Sequence, residues 1–427
     1  MKTFKLTQIA TSTAKSTGIA TAIALSCALA SGTATAQEQS VEVLHWWTTG
    51  GTAAAAAKLK EAATAKGVIW KDVAVAGNEN QRTLLRTKVM KGDAPGAAQI
   101  TTDVEQFADQ RDKLFNLNEI AKEQNWDAVL PKVIQDYVKV GSGNYVGVPL
   151  NVHRMSILFT SQAALKKLGA TESPKSWDEF FALADKAKAA GITPFAWGNN
   201  MVIGIAFDQV AFSVMGAPAY KKAFIDNDEA TLKSPAMAKS FEVYRRLANY
   251  ADKSALTKRW NEGTQSVIVG ETLFQIMGDW AKSEFIRAGQ KPGVDFLCAP
   301  TPGSAGSMNF NSDAFLFFKT RVDNSKAQMT LARALMDKQT QETFNIAKGS
   351  VPARMDIDMS KFDDCSKRTH AEFSAAAKAN TLVPFQAMEK PGGRYAAMND
   401  VAIEFFTKTD MTAQQGVDKM VTASKNN

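Results

Sequence analysis

Val41-Glu42-Val43-Leu44-His45-Trp46-Trp47-Thr48-Thr49-Gly50-Gly51-Thr52-Ala53-Ala54-Ala55-Ala56-Ala57 carries the first decision about the fold. Residues 41–45 alternate apolar with polar and are rich in β-branched side chains, the period of a half-buried strand. Two tryptophans and two glycines interrupt that period. An alanine-rich stretch from Thr52 to about Ala65 then reads as a helix. Strand, break and helix within 25 residues form the opening of an α/β unit.

Outward from this stretch the alternation continues. A strand is expected near Val73–Ala76. A helix around Gln81–Met90 follows and stops at Lys91-Gly92-Asp93-Ala94-Pro95, and a short strand is expected near Ala98–Thr101. This pattern predicts an α/β architecture with a largely parallel sheet. Near residue 150 the texture changes. Asn144–Pro149 reads as a strand ending in a break, and Met155–Phe159 as another. Ser176-Trp177-Asp178-Glu179 is a capping box opening a helix through Ala190, and Ser234-Pro235 opens a further helix. Thr272–Met277 is an apolar strand running into Gly278-Asp279-Trp280. A second transition spans residues 295–320. A strand Asp295–Ala299 leads into Pro300-Thr301-Pro302-Gly303-Ser304-Ala305-Gly306-Ser307, the stretch richest in Pro, Gly and Ser. Asn311-Ser312-Asp313 then precedes the strand Ala314–Phe318. A single helix from about Asn324 to Ile346 is expected next, ending at Lys348-Gly349-Ser350-Val351-Pro352. At 427 residues, two domains are more in keeping with the length than one.

The N-terminus stands apart from this pattern. Lys2, Lys5 and Lys15 occur with no acidic residue, the apolar stretch Gly18–Ala30 follows, and Ala34-Thr35-Ala36 is a small-x-small cleavage signature. These features predict a secretory signal peptide cleaved after Ala36. A membrane anchor is the alternative, but the apolar stretch falls well short of the roughly 20 residues that a span needs. Cys27 opens a lipoprotein reading, although Ala24-Leu25-Ser26 fits a lipobox poorly. Removing residues 1–36 takes away three positive charges and no negative ones, so the formal charge falls from +7 to +4. That mild excess, scattered among acidic residues with no basic stripe interleaved with aromatics, argues against nucleic acid as a partner. The mature chain keeps Cys298 and Cys365. In an oxidising compartment a disulfide between them is the expectation, and two buried free thiols the alternative.

There is no Gly-x-Ser-x-Gly elbow, no phosphate-binding loop and no dinucleotide fingerprint. His45, His153 and His370 lack metal-ligand spacing, so neither a metal nor a cofactor is expected. Paired carboxylates of a glycoside hydrolase or lyase come from distant segments and stay open as an alternative at this level.

Six segments in order carry a resemblance: Trp46-Trp47-Thr48-Thr49-Gly50-Gly51, Gly92-Asp93-Ala94-Pro95-Gly96-Ala97-Ala98-Gln99, Val148-Pro149-Leu150-Asn151-Val152-His153-Arg154, Met277-Gly278-Asp279-Trp280-Ala281, Pro302-Gly303 with Asn311-Ser312-Asp313, and Lys348-Gly349-Ser350-Val351-Pro352-Ala353-Arg354. Together they resemble the extracellular solute-binding proteins of ABC sugar importers, in particular the glucose/mannose-binding branch. The resemblance implies a two-lobed periplasmic binding protein fold with discontinuous lobes and a ligand cleft between them. One lobe takes residues 37–150 and a return segment 310–352; the other takes 151–309 and the helical end 353–427. The implied crossings lie near Leu150-Asn151, Ser307–Asn311 and Val351-Pro352. The family function is non-enzymatic: reversible capture of a sugar and its delivery to a permease in the inner membrane, by what is expected to be a monomer.

Carried over by position, Trp46 and Trp47 match paired tryptophans that cover sugar faces, and Gln99 matches a polar cleft residue. Trp280 matches another aromatic wall, and Asp313 and Lys348 match charged groups that hydrogen-bond hydroxyls. The Cys298–Cys365 pair matches a disulfide of that branch. The chemistry suits the assignment independently, because a pyranose has apolar C–H faces for flat indoles and a polar rim for charge-assisted hydrogen bonds. Each residue also has a plain structural reading. The tryptophans are candidates for the core, Asp313 for a cap, Lys348 for a helix-end cation and Asp279 for a turn former. The sequence departs from the branch at Thr52, Thr101 and Met388, which leaves the identity of the sugar open.

Overall fold

The computed structural model describes residues 39–101, 104–141, 143–251, 257–386 and 393–426; the signal-peptide reading of residues 1–36 and the position Met388 lie outside them. The opening stretch folds as strand β1 (Ser40–His45), a break over residues 46–49, and a helix Gly50–Ala65. That helix starts two residues earlier than expected and buries Gly51, Thr52, Ala55, Ala56, Leu59 and Ala63 on one face. Strands β2 (Ile69–Ala74), β3 (Ala97–Ile100), β4 (Gly147–Pro149) and β5 (Asn151–Arg154) follow. Next come β6 (Ile157–Ser161), β7 (Thr193–Phe195), β8 (Thr272–Met277) and β9 (Phe296–Pro300). The last four are β10 (Asn309–Asn311), β11 (Ala314–Phe317), β12 (Val351–Pro352) and β13 (Val383–Pro384).

These strands form three sheets, in the orders β2-β1-β3-β11-β4, β12-β5-β10-β13 and β7-β8-β6-β9. The expectation of a largely parallel sheet is corrected. β1 lies parallel to β2 and β3, as short βαβ crossovers require. β11, by contrast, runs antiparallel to both β3 and β4. It enters the sheet after the chain has travelled through residues 151–310, and it arrives from the opposite end. The outer sheet is mixed for the same reason, with β7 parallel to β8 and β6 antiparallel to β8 and β9.

The small middle sheet takes one short strand from each of four distant segments: Asn151–Arg154, Asn309–Asn311, Val351–Pro352 and Val383–Pro384. Two apolar clusters pack the described residues, and the first runs through the middle sheet at Val152, Phe310 and Val351. The first holds the five-stranded sheet with Val43, Leu44, Trp70, Phe315 and Phe344, and the second holds Phe180, Phe195, Phe207, Phe241, Tyr244 and Phe274 around β7 and β8.

Local signals set several boundaries. Both halves of the Ser176–Glu179 capping box form at the start of the helix Trp177–Ala189. Ser234 caps Pro235–Ala248 by accepting the Met237 N–H. The single helix expected over 324–346 is instead two, Ser325–Met336 and Lys338–Lys348. Asp337 breaks it: its backbone is extended, and its carboxylate accepts the N–H groups of Gln339 and Thr340, starting a new helix in a new direction.

Cys298 on β9 and Cys365 in the first turn of the helix Asp364–Ala379 form a disulfide. The bond closes a 67-residue separation, worth about 4 kcal/mol in the chain-entropy account. The buried Arg154 ties the same helix to β5 through Glu372.

Candidate functional site

The strand ends beside the middle sheet carry a buried polar cluster. Antiparallel pairing aligns Ala314 with Ile100 on one side and with Pro149 on the other, and Asp313, just before β11, is there within reach of the side chains of Gln99 on β3 and Asn151 on β5. Asn151 holds it by both ends. The Asn151 Oδ1 accepts the Asp313 backbone N–H at 2.8 Å, and its Nδ2 donates to Asp313 Oδ2 at 3.0 Å. Gln99 Nε2 donates to Oδ1 at 3.2 Å, while Gln99 Oε1 accepts the backbone N–H of Trp46 at 3.1 Å. His153, two residues along β5 and on the same face as Asn151, puts Nε2 2.9 Å from Asp313 Oδ2.

Lys348 ends the helix Lys338–Lys348, where a cation meets the negative end of the helix dipole. Its Nζ lies 3.7 Å from Asp313 Oδ2, 3.1 Å from His153 Nε2 and 5.7 Å from the centre of the Trp47 ring. Gly349, at φ +83°, turns the chain sharply after it. A side chain there would stand 2.9 Å from the Asp279 carbonyl, so the turn and the close approach both require glycine.

Asp279 reaches the cluster from beyond β8. One of its carboxylate oxygens bonds His153 Nδ1, and the other accepts the Arg154 backbone N–H at 3.0 Å. Trp280 meets the His153 ring edge-on at 5.2 Å. Gly278 leaves the space in which the Trp280 ring folds back over the chain.

All six polar side chains, Gln99, Asn151, His153, Asp279, Asp313 and Lys348, are buried, so the electrostatics are strong. Burial raises the Asp313 carboxyl, but Lys348, His153 and Asn151 outweigh it and hold the group well below the usual carboxylate range. Burial pushes the Lys348 ammonium down despite the two aspartates. For His153, burial and Lys348 act downward, yet Asp279 and Asp313 prevail and raise it. Two carboxylates face one lysine and one histidine here, a pairing of opposite-sign groups of the kind that lets charge be tolerated in the interior.

Sequence reasoning singled out six residues, and the structure brings all six to this place in different ways. Gln99, Asp313 and Lys348 are members of the cluster. Trp46 and Trp280 are half-buried at its border. Trp47 is buried, with its ring packed against Phe315, Phe344 and His45 in the core. In the sequence His153 and Asn151 stand out only as parts of a motif, and Asp279 reads as a turn former. Their signal was the Asn-x-His spacing on one strand face beside a Gly-Asp-Trp turn. Thr52 spends its hydroxyl on the Thr49 carbonyl at 2.7 Å, and Arg82 reaches Thr101 only at 3.5 Å. Among the described residues no group of three or more His, Cys, Asp or Glu is placed to hold a metal.

The family model for bacterial extracellular solute-binding proteins matches residues 46–339. The chain is a bacterial extracellular solute-binding protein. Among its relatives, a probable sugar-binding periplasmic protein of Mesorhizobium japonicum is 40% identical over 393 residues, covering 91% of this chain and 94% of that protein. One from Brucella melitensis, described in the same words, is 39% identical over 397 residues, with 91% and 93% covered. Of solved structures, the solute receptor AcbH superposes with a TM-score of 0.75 at 18% identity, over 90% of this chain and 97% of that one. A chitin oligosaccharide binding protein gives 0.75 at 19%, over 90% and 98%. At such identities the superpositions speak for the fold of this solute-binding protein: the two-lobed periplasmic type.

Proposed function

We propose that this chain is the periplasmic substrate-binding subunit of an ABC importer, capturing a glucose- or mannose-like sugar or a related carbohydrate and delivering it to a membrane permease. One observation carries the reading. A buried set of hydrogen-bonding groups around Asp313 and Lys348, bordered by the indoles of Trp46 and Trp280, lies beside the middle sheet in a chain 40% identical to a probable sugar-binding periplasmic protein. Asp313 accepts hydrogen bonds from hydroxyls, Lys348, Gln99 and Asn151 donate them, and the half-buried indoles cover C–H faces. Trp47 supports the site from the core beneath Lys348. In this reading residues 37–150 and 310–352 form one lobe, 151–309 and 353–427 the other, and the middle sheet is the hinge about which they close. The protein works as a monomer, without a cofactor, nucleic acid or catalytic step.

The test is a panel of pentoses, hexoses, disaccharides and polyols, read by thermal shift and calorimetry. A saccharide is expected to raise the melting temperature, because only the folded state binds it. Solution scattering with the saccharide at saturation is expected to show a smaller radius of gyration than an open, unliganded form. A panel in which no saccharide shifts the melting temperature sinks the reading.

Export is part of the proposal. No described helix is long and apolar enough to cross a membrane. Intact mass of periplasmic material is expected to correspond to a chain starting at Gln37, two hydrogens lighter than its reduced form. A mass that includes Cys27 with an added lipid overturns the cleavage after Ala36.

A further inference from the structure

His45, the last residue of β1, is buried, and its two ring nitrogens have different partners. Nε2 lies 2.7 Å from Asp72 Oδ1 on the neighbouring strand β2, and the same oxygen accepts the Trp70 indole N–H at 3.2 Å. Nδ1 lies 3.2 Å from the backbone nitrogen of Trp47. A backbone N–H only donates, so Nδ1 presents its lone pair and the ring proton sits on Nε2, pointing at Asp72. The next amide is held in the same manner, Trp46 N–H to Gln99 Oε1. Two side-chain acceptors from neighbouring strands therefore pin the two amides of the turn that leads from β1 into the glycine pair. Of the two, only His45 titrates.

We infer that His45 is a positioning residue for the Trp46-Trp47 turn, and that its protonation at Nδ1 releases the turn and loosens capture in acid. The inference rests on the reading of Trp46 as a wall of the sugar site. Protonation converts the Nδ1 lone pair into an N–H facing the Trp47 N–H, with a proton taken from solvent. The hydrogen bond is lost and two donors oppose each other. The charged groups that act on His45 are Asp72 on β2, which favours the cation, and Lys60 on the helix Gly50–Ala65, which disfavours it from 3.8 Å beyond Asp72. Burial is the largest influence and holds the imidazole below its ordinary value, so the neutral form dominates near neutrality. The sign follows. Because burial in the folded chain lowers this group, the contribution of the neutral ring is complete above the ordinary histidine value of about 6.5 and is lost as pH falls through the lowered one.

The experiment uses the mature protein, wild type and His45→Asn, whose amide oxygen replaces Nδ1 as an acceptor and does not titrate. Nitrogen NMR of wild-type His45 is expected to show the Nε2–H tautomer at pH 7.5. Hydrogen exchange at the Trp47 amide, corrected for its intrinsic rate, is expected to speed up about tenfold between pH 7.5 and 5.5 in the wild type and less than about twofold in His45→Asn. An Nδ1–H tautomer at pH 7.5, or exchange that does not respond to acid in the wild type, overturns the inference without any variant. The same response in both proteins overturns it as well. D-glucose titrations at both pH values separate the two claims. If acid releases the turn but glucose and the wider saccharide panel bind at neither pH, the positioning role stands and the sugar reading falls.

Discussion

Asp313→Ala is expected to abolish measurable sugar binding and to lower folding stability by about 3–5 kcal/mol, the range for removing one partner of a buried ion pair. Asp313 collects Gln99, Asn151, His153 and Lys348 on two oxygens inside a site with almost no exposure. Without it Lys348 and His153 keep only Asp279 as a carboxylate neighbour. Asp313→Asn keeps the shape and part of the hydrogen bonding, so it should stay closer to the wild type in stability. It should still lose affinity, since a hydrogen bond to a charged group is worth about 1.5–3 kcal/mol, roughly 10- to 150-fold.

The pH dependence has two signs. Asp313, held low, contributes stability above the ordinary carboxyl value of about 3.9 and loses it as pH falls. His153, held high, contributes fully below about 6.5 and loses that contribution as pH rises through its raised value. Calorimetric titration and urea melts of the two variants check this. If Asp313→Ala binds sugar and melts like the wild type, the cluster is neither the site nor a structural element.

Gly51→Ala is expected to leave the fold intact and yet hold the two sheet bodies apart. Gly51 lies in the first turn of the helix Gly50–Ala65, on the five-stranded sheet's side, and its φ is outside the left-handed region. Alanine is the better helix former there. An added Cβ, however, would stand 2.3 Å from Ser283 Oγ, 2.4 Å from Ser283 Cβ and 2.7 Å from the Ser283 carbonyl carbon, all on the helix Lys282–Arg287 beyond β8. Backbone atoms cannot yield, so the helices must separate. The hydrogen bond from the Gly51 N–H to the buried Glu284 carboxylate, 2.8 Å, is then lost. Overpacking of this kind costs about 1–3 kcal/mol, charged here against closure rather than folding, and weakens sugar binding roughly 5- to 150-fold. Scattering with saturating sugar should keep the larger radius of the open form, while the melting temperature without sugar changes little. A variant that closes and binds normally shows that Gly51 and Glu284 do not control the approach of the lobes.

The local grammar was readable because its causes are local. Ser176 and Glu179 sit three residues apart and cap each other, and Thr272–Met277 is apolar enough to be a buried strand before any partner is known. Asp337 shows the limit, since an aspartate inside an apolar period reads as a solvated helix residue until its backbone is seen to be extended. Gln99, Asp313 and Lys348 are candidates through the family resemblance of the motifs that hold them, and the chain brings their side chains together.

The sequence by itself determined the α/β class, most element positions, the pairing of two cysteines and the kinds of side chain available to a carbohydrate, because these depend on residue type and short spacing. Only the tertiary structure decided that β11 runs antiparallel, that Trp47 belongs to the core while Trp46 stays at the border, that His153 bridges Asp279 and Asp313, and that Gly51 receives Glu284. The physical reason is separation along the chain. His153 is 126 residues from Asp279 and 160 from Asp313, and Gly51 is 233 from Glu284, so no local period encodes their meeting. Those contacts exist only once distant strands share a sheet and the helices Gly50–Ala65 and Lys282–Arg287 pack together.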